Sequence, residues 1–265
     1  MTNVNHLVSI TTICIKNNYF ITKTMRYFIE CAYRGTNYCG WQIQNNAKTV
    51  QEEIEKALST LLKTTIEITG SSRTDTGVHA MQQMAHFEVE NELDTENLVY
   101  RINKILPFDI SVNQVFKVAD DYHCRFEATS RKYEYRISRK KNPFQKGLCY
   151  EFNQKLNVKL MNEACQILFK HIDFECFSKV NTQVFTFNCS IMEARWEEQD
   201  DLMVFHIKAN RFLRGMVRAV VGTLLEVGAE RLSIADFEQI ILSKNRKNAG
   251  RTVPAEGLFL MEVNY

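Results

Sequence analysis

No apolar run in this sequence approaches the ~18–20 residues that span a bilayer, so no membrane-crossing helix is expected. No two cysteines form a CxxC pair, although there are eight, at 14, 31, 39, 124, 149, 165, 176 and 189. The HxE and PCxxC pattern of zinc deaminases is missing as well. In a chain too long to need covalent staples, such cysteines are expected to be buried reduced thiols; no metal is expected, and the setting is expected to be cytoplasmic. Net charge is nearly absent, with 33 basic against 31 acidic side chains. Any affinity for a polyanion must therefore come from the distribution of charge and not from its total. Repeats, low-complexity tracts and Gly/Pro linkers are lacking too. Residues 1–24 have neither the basic start of a signal peptide nor the arginine bias of a transit peptide. Met25 opens the first convincing strand, and the stretch before it is expected to be a poorly ordered extension.

What is present is material for a core: 265 residues, 45% of them hydrophobic, suffice for one large domain or two ordinary ones. "RYFIECAY" reads as a strand and "TVQEEIEKALSTLLK" as an amphipathic helix with a Thr49/Glu52 capping box. "TIEIT", "MQQMAHFEVE" and "DISVNQVFKV" read as further strands, and "TENLVYRINKIL" as a helix. The second half predicts strands at 133–138, near 185–197, at 201–209 and at 257–264, with helices at 157–170, 211–227 and 233–243. This order implies an α+β fold of two sheet-and-helix domains with mainly antiparallel sheets, over 25–119 and 120–265, with "ADDY" as the seam.

Three stretches carry chemistry. "SSRTDTGVHA", residues 71–80, lies between two strands, where a scaffold can present it. Loops rich in Ser, Thr, Asp and Gly are commonly turn chemistry, so Asp75 competes with that reading. Arg73 and Asp75, two apart, leave an extended segment on the same side. The second stretch, "RFEATSRKYEYRISRKKNPFQK", holds eight Lys or Arg against two Glu, interleaved with tyrosines. Cations with aromatics suit nucleic acid, with Lys132, Lys140 and Lys141 as candidate phosphate contacts. Period two puts Tyr133, Tyr135 and Ile137 on one face, without selecting between the tyrosines. The third stretch, "ANRFLRGMVRAVVGTLLEVG", reads as a helix with Leu213, Val217, Val220 and Leu224 on one side and Arg211, Arg214 and Arg218 on the other. Arg218, with Ala219 beside it and Gly222 one turn on, has room to meet a carboxylate.

Together these stretches resemble the TruA family of tRNA pseudouridine synthases. "YRGTNYCGWQIQNNAKTVQEEIEKAL" is similar to the family's opening strand, turn and helix. "SSRTDTGVHAMQQMAHF" is similar to its catalytic loop, "FEATSRKYEYRI" to its tyrosine strand, "KANRFLRGMVRAVVGTLLEVG" to its arginine helix and "VPAEGLFLMEVNY" to its last strand. The motifs run in family order from Met25 to Tyr265. Departures are Arg34 where an aspartate is common, and Lys179 and Asn188 where arginines are common.

The resemblance implies a pseudouridine-synthase-like fold and a cofactor-free isomerisation of uridine to pseudouridine at positions 38–40 of tRNA, in the anticodon stem-loop. It implies Asp75 as nucleophile or base, Tyr133 stacked on the uracil and near its C5 proton, and Arg218 paired with Asp75. Arg73 would fill the vacated space or hold the backbone, Arg211 and Arg214 would meet RNA, and the protein would be a homodimer. An inactive RNA-binding module of the same fold is the alternative, disfavoured because binding alone needs no buried carboxylate beside a polyanion. An aspartyl-phosphate transferase would need a phosphate-cradling loop or a second acid cluster, and neither accompanies Asp75.

Overall fold

A computed structural model describes residues 24–180 and 184–265. Of the extension expected over residues 1–24, all but Thr24 lies outside the described residues. In chain order the elements are β1 (Met25–Tyr33), α1 (Val50–Leu62), β2 (Thr69–Gly70), β3 (His79–Val89), α2 (Thr95–Ile105), β4 (Ile110–Lys117) and β5 (Ser130–Ser138). Then follow β6 (Tyr150–Glu151), α3 (Val158–Leu168), β7 (Ile191–Gln199), β8 (Leu202–Ala209), α4 (Met216–Gly228), α5 (Ile234–Leu242) and β9 (Leu258–Asn264). The fold is α+β, and all but two of the strand pairings in its sheet are antiparallel.

The sheet has nine strands, with the order β4-β1-β3-β9-β5-β8-β7 along its main path. The strand latest in sequence lies in the middle: β9 runs parallel to β3 through His79–Phe259 and Ala80–Leu260, and antiparallel to β5. It unites the strands of the first half with those of the second. Helices α1 and α2 pack on each other in the first half, and α3, α4 and α5 in the second. Both edges of the main path are closed by a helical asparagine. Asn103 of α2 exchanges two hydrogen bonds with the Val112 backbone on β4 (2.7 and 2.8 Å), and Asn162 of α3 does the same with Trp196 on β7 (3.1 and 2.8 Å). An unpaired strand edge is an invitation to pair with another chain, and these contacts occupy it locally.

Most helices begin where the sequence predicts. Thr49 caps α1 by accepting from the Glu52 amide, and Asn157 caps α3. Three elements differ, one of them the strand expected near 185–197, which begins at Ile191. Of "TIEIT" only Thr69 enters the sheet, with Gly70, because Ile66 and Ile68 are buried against the core while the Ile68 amide is taken by Glu55 (2.8 Å). The helix expected over 211–227 starts at Met216, because Gly215 at φ 72° turns the chain first. Arg211 and Arg214 therefore lie in the loop before α4 and not on a helical arginine stripe.

Candidate active site

The catalytic-loop candidate sits between β2 and β3. Its turn closes when the Val78 amide donates to the Asp75 carbonyl (3.1 Å), and Gly77, at φ 81°, takes a backbone conformation that a side chain would strain. The turn after β1 buttresses it, with the Trp41 amide donating to the Thr74 carbonyl and the Gly77 amide to the Tyr38 carbonyl, both at 3.3 Å. The Tyr33 hydroxyl is 2.9 Å from the Thr74 hydroxyl. Asp75 is thus held by backbone contacts on both sides while its own side chain stays 30% exposed.

Across 143 residues of sequence, Arg218 meets it: Nη1 lies 3.2 Å from Asp75 Oδ2. The guanidinium is also anchored, Nε donating to the Val253 carbonyl at 2.7 Å. Gly222, one turn along α4, lets this happen, since a Cβ there would stand 1.8 Å from the Arg251 carbonyl and push the 251–257 segment away. Arg214, 62% exposed, brings Nε to 3.8 Å from Asp75 Oδ1. The carboxylate therefore has two cations at unequal distance, one fixed and one solvated.

Tyr133 and Tyr135 share a face of β5 but have different partners. Tyr133 packs edge-on against Phe212 at 5.2 Å between ring centres. Burial pushes its phenol up to about 12, opposed by Arg131 and helped by Asp75. It is a neutral phenol at pH 7, able to relay a proton but not to wait as a phenolate. The Tyr135 hydroxyl is committed elsewhere, donating to the Pro254 carbonyl at 2.8 Å. Lys132 faces the other way, in an ion pair with Glu193 (3.0 Å), and Lys140 pairs with Asp201 (2.9 Å). Arg211 reaches the Thr186 carbonyl (3.4 Å), and Arg73 and Lys141 are exposed.

Two buried cations or ring donors were not singled out from sequence. Arg131 is 8% exposed and grips four carbonyls, of Arg125 (2.7 Å), Ala128 (2.9 Å), Asn210 (3.0 Å) and Ser71 (3.3 Å). It ties the start of the catalytic loop to β5 and to the loop before α4. His79 is 1% exposed; its Nδ1 accepts from the Gly35 amide (3.1 Å), so the proton resides on Nε2, which donates to the Glu256 carbonyl (3.2 Å). The segment 253–256 thus receives Arg218, Tyr135 and His79, one from each of three site-bearing elements. Nothing but its backbone oxygens does this.

Among the described residues one cluster, His86, His123 and Cys124, brings metal-type donor atoms within 4.8 Å of one another. Its donors are spent. Nδ1 of His86 accepts from the Cys124 amide (3.3 Å) and Nδ1 of His123 from the Arg125 amide (3.1 Å), which leaves both Nε2 atoms protonated. The Cys124 thiol donates to the Thr69 carbonyl (3.0 Å) and is pushed by burial up to about 12. A neutral thiol and two committed imidazoles are a hydrogen-bonded knot under the loop rather than a ligand set. All seven described cysteines are free thiols.

A carboxylate with an anchored arginine, a neutral tyrosine close by and flanking cations is the chemistry the motif order implied. The family model described as tRNA pseudouridine synthase matches residues 31–127 and 164–265. The tRNA pseudouridine synthase A of Parabacteroides distasonis is 49% identical over 241 residues, covering 91% of this chain and 96% of its own. That of Bacteroides fragilis is 49% identical over 242 residues, with the same coverage of each chain. That of Staphylococcus aureus is 39% identical over 241 residues, 90% of each chain. With the match running through the Asp75 loop, the Arg218 helix and β9 alike, the chain belongs to the tRNA pseudouridine synthase family.

Proposed function

We propose that this protein isomerises uridine to pseudouridine in tRNA, at positions 38–40 of the anticodon stem-loop. The observation that carries the proposal is the Asp75 carboxylate held 3.2 Å from Arg218, within electrostatic reach of Tyr133. The reaction breaks the bond between C1′ and N1, turns the base, and forms a bond between C1′ and C5. The C5 proton then leaves, and N1, freed of the bond to C1′, takes one up. Nothing is oxidised or reduced, so the chemistry calls for no redox cofactor. Asp75 attacks, or takes a ribose proton, and either role requires the ionised carboxylate that Arg218 favours. Tyr133 stacks on the extracted uracil and relays the C5 proton. Taking a base out of its stack costs a few kcal/mol, and Arg73, exposed and two residues from Asp75, would fill the space or hold the backbone. Arg211, Arg214, Lys140 and Lys141 would meet phosphates. A homodimer in the cytoplasm completes the reading.

The test is incubation of the purified protein with unmodified tRNA, without added cofactor or magnesium-dependent activator, followed by pseudouridine mapping. Product confined to positions 38–40 is expected. No product, or product elsewhere in the molecule, would overturn the proposal.

A further inference from the structure

Beside the catalytic loop lies a cavity of about 470 Å3 whose lining includes Trp41, Gln51, Glu55, Glu67, Arg73 and Arg125. Two arginines are among its lining residues. Burial first, and then the nearby charge of Arg73, make the charge on Arg125 harder to hold, and among the described residues neither arginine makes an ion pair with a carboxylate. Arg125 is fixed by donating from Nη2 to the Gly70 carbonyl (3.3 Å). Two like charges held together without a counter-ion favour an anion between them.

Two carboxylates line it as well. Glu55 accepts from the Ile68 amide (2.8 Å) and from Gln51 (2.9 Å), whereas Glu67 is exposed and makes no hydrogen bond among the described residues. Ile68, bonded to Glu55, and Gly70, bonded to Arg125, are two residues apart, at most ~7 Å of chain. Trp41 lies against Gly70, where a Cβ would stand 2.2 Å from its indole nitrogen, and closes the floor. Cationic and acidic groups thus line one small space.

We propose that this cavity is a subsite for a second nucleotide of the substrate RNA, a neighbour of the target uridine, with its phosphate between Arg73 and Arg125 and its base edge on Glu67. This rests on the function proposed above. Carboxylates only accept hydrogen bonds, so the site favours a base that presents N–H donors side by side, as guanine does with N1–H and its amino group. Uracil offers one N–H between two carbonyl oxygens, which Glu67 would repel. Unstacked bases in RNA loops are commonly read in this way, on their edges.

The experiment uses anticodon-arm hairpins labelled with tritium at the target C5, in which each nucleotide flanking the target is replaced in turn by an abasic residue. Filter binding reads the subsite and tritium release reads the chemistry. Glu67→Gln is expected to raise Kd about tenfold on the unsubstituted hairpin, and Arg125→Ala to do so while lowering the salt slope by about 0.7. One abasic position should weaken wild-type binding by the same factor and weaken Glu67→Gln no further. Glu67 is exposed, so its substitution is readable even where Arg125→Ala lowers Tm, and Arg125→Lys supplies the charge without the fork. Kd unchanged in both Glu67→Gln and Arg125→Lys, or no abasic position that weakens binding, would overturn the subsite. Absence of tritium release from wild type on the intact hairpin would instead remove the function, and the Kd pattern would still decide the subsite.

Discussion

Arg218 divides one guanidinium between a side chain and a backbone: Nη1 holds the Asp75 carboxylate at 3.2 Å and Nε holds the Val253 carbonyl at 2.7 Å. The loop that carries the carboxylate is in turn held by backbone hydrogen bonds, within itself and to the turn after β1. Loss of either residue should therefore have different consequences.

Asp75→Asn is expected to fold, bind tRNA about as tightly and form no detectable pseudouridine. Asn keeps the shape and an acceptor oxygen but can neither attack nor take a proton. Arg218→Ala should lose activity and also about 2 kcal/mol of stability, less than the roughly 3–5 of a fully buried pair because Asp75 is partly solvated. Tritium release beside thermal melts checks both. Substantial turnover by Asp75→Asn would make this residue a turn former.

Tyr133→Phe should slow product formation while leaving binding and Tm near wild type, since the ring still stacks and only the hydroxyl is gone. Tyr135→Phe should show the reverse emphasis. It strands the Pro254 carbonyl, at a cost of about 1 kcal/mol, and its turnover should fall only a few-fold. Matching kcat and Tm changes in the two variants would remove the reason for assigning Tyr133 to the base.

His79 gives acid sensitivity with a definite sign. Burial lowers its pKa from 6.5 to about 4, and Arg34 and Arg136 push the same way while the Glu256 carbonyl opposes. Below 6.5 the unfolded chain takes up this proton and the folded one does not, so stability is full above pH 6.5 and is lost as pH falls towards 4. At most ~3 kcal/mol is at stake. Urea titrations should give a ΔG against pH slope near pH 5 that is shallower in His79→Asn by about 1.4 kcal/mol per pH unit. An unaltered slope would mean that the folded chain takes up this proton as readily as the unfolded one.

For tRNA affinity, removing Arg214 should lower the salt slope by roughly 0.7–0.9, the yield of one phosphate contact. Removing Lys140 and Lys141 together should lower it by about the same amount rather than twice as much, because Asp201 already neutralises Lys140. Filter binding at several salt concentrations measures each. A doubled effect for the lysine pair would show that RNA displaces Asp201.

The residues of the site were legible in sequence to the extent that side-chain type carries the chemistry. Asp75 and Arg218 could be singled out as candidates by residue type and spacing, whereas the choice of Tyr133 over Tyr135 came only from the resemblance to the TruA family, because period two puts both on one face. Period two placed Lys132 opposite Tyr133 on the strand, yet not against Glu193, which is 61 residues away in sequence. What was illegible is carried by backbone. The carbonyls of Val253, Pro254 and Glu256 have no side-chain signature, so the common anchor of Arg218, Tyr135 and His79 could not be read. The start of α4 was misplaced for a related reason: apolar spacing from Leu213 onward is helical, and only Gly215 in the left-handed region interrupts it. The sheet order was hidden because pairing β9 between β3 and β5 is a contact across most of the chain.

The central seat of β9 bears on how the molecule is made. A ribosome releases β3 and β5 long before it reaches residue 258, so during synthesis the two flanks of the sheet exist without the strand that joins them. Arg218 is likewise translated before its Val253 anchor. The nascent chain therefore carries every side chain of the site while lacking the geometry, and catalytic competence arrives as one late event. A chain cut short by even a few dozen codons would lack both the strand that joins the two flanks and the carbonyls that anchor Arg218, Tyr135 and His79.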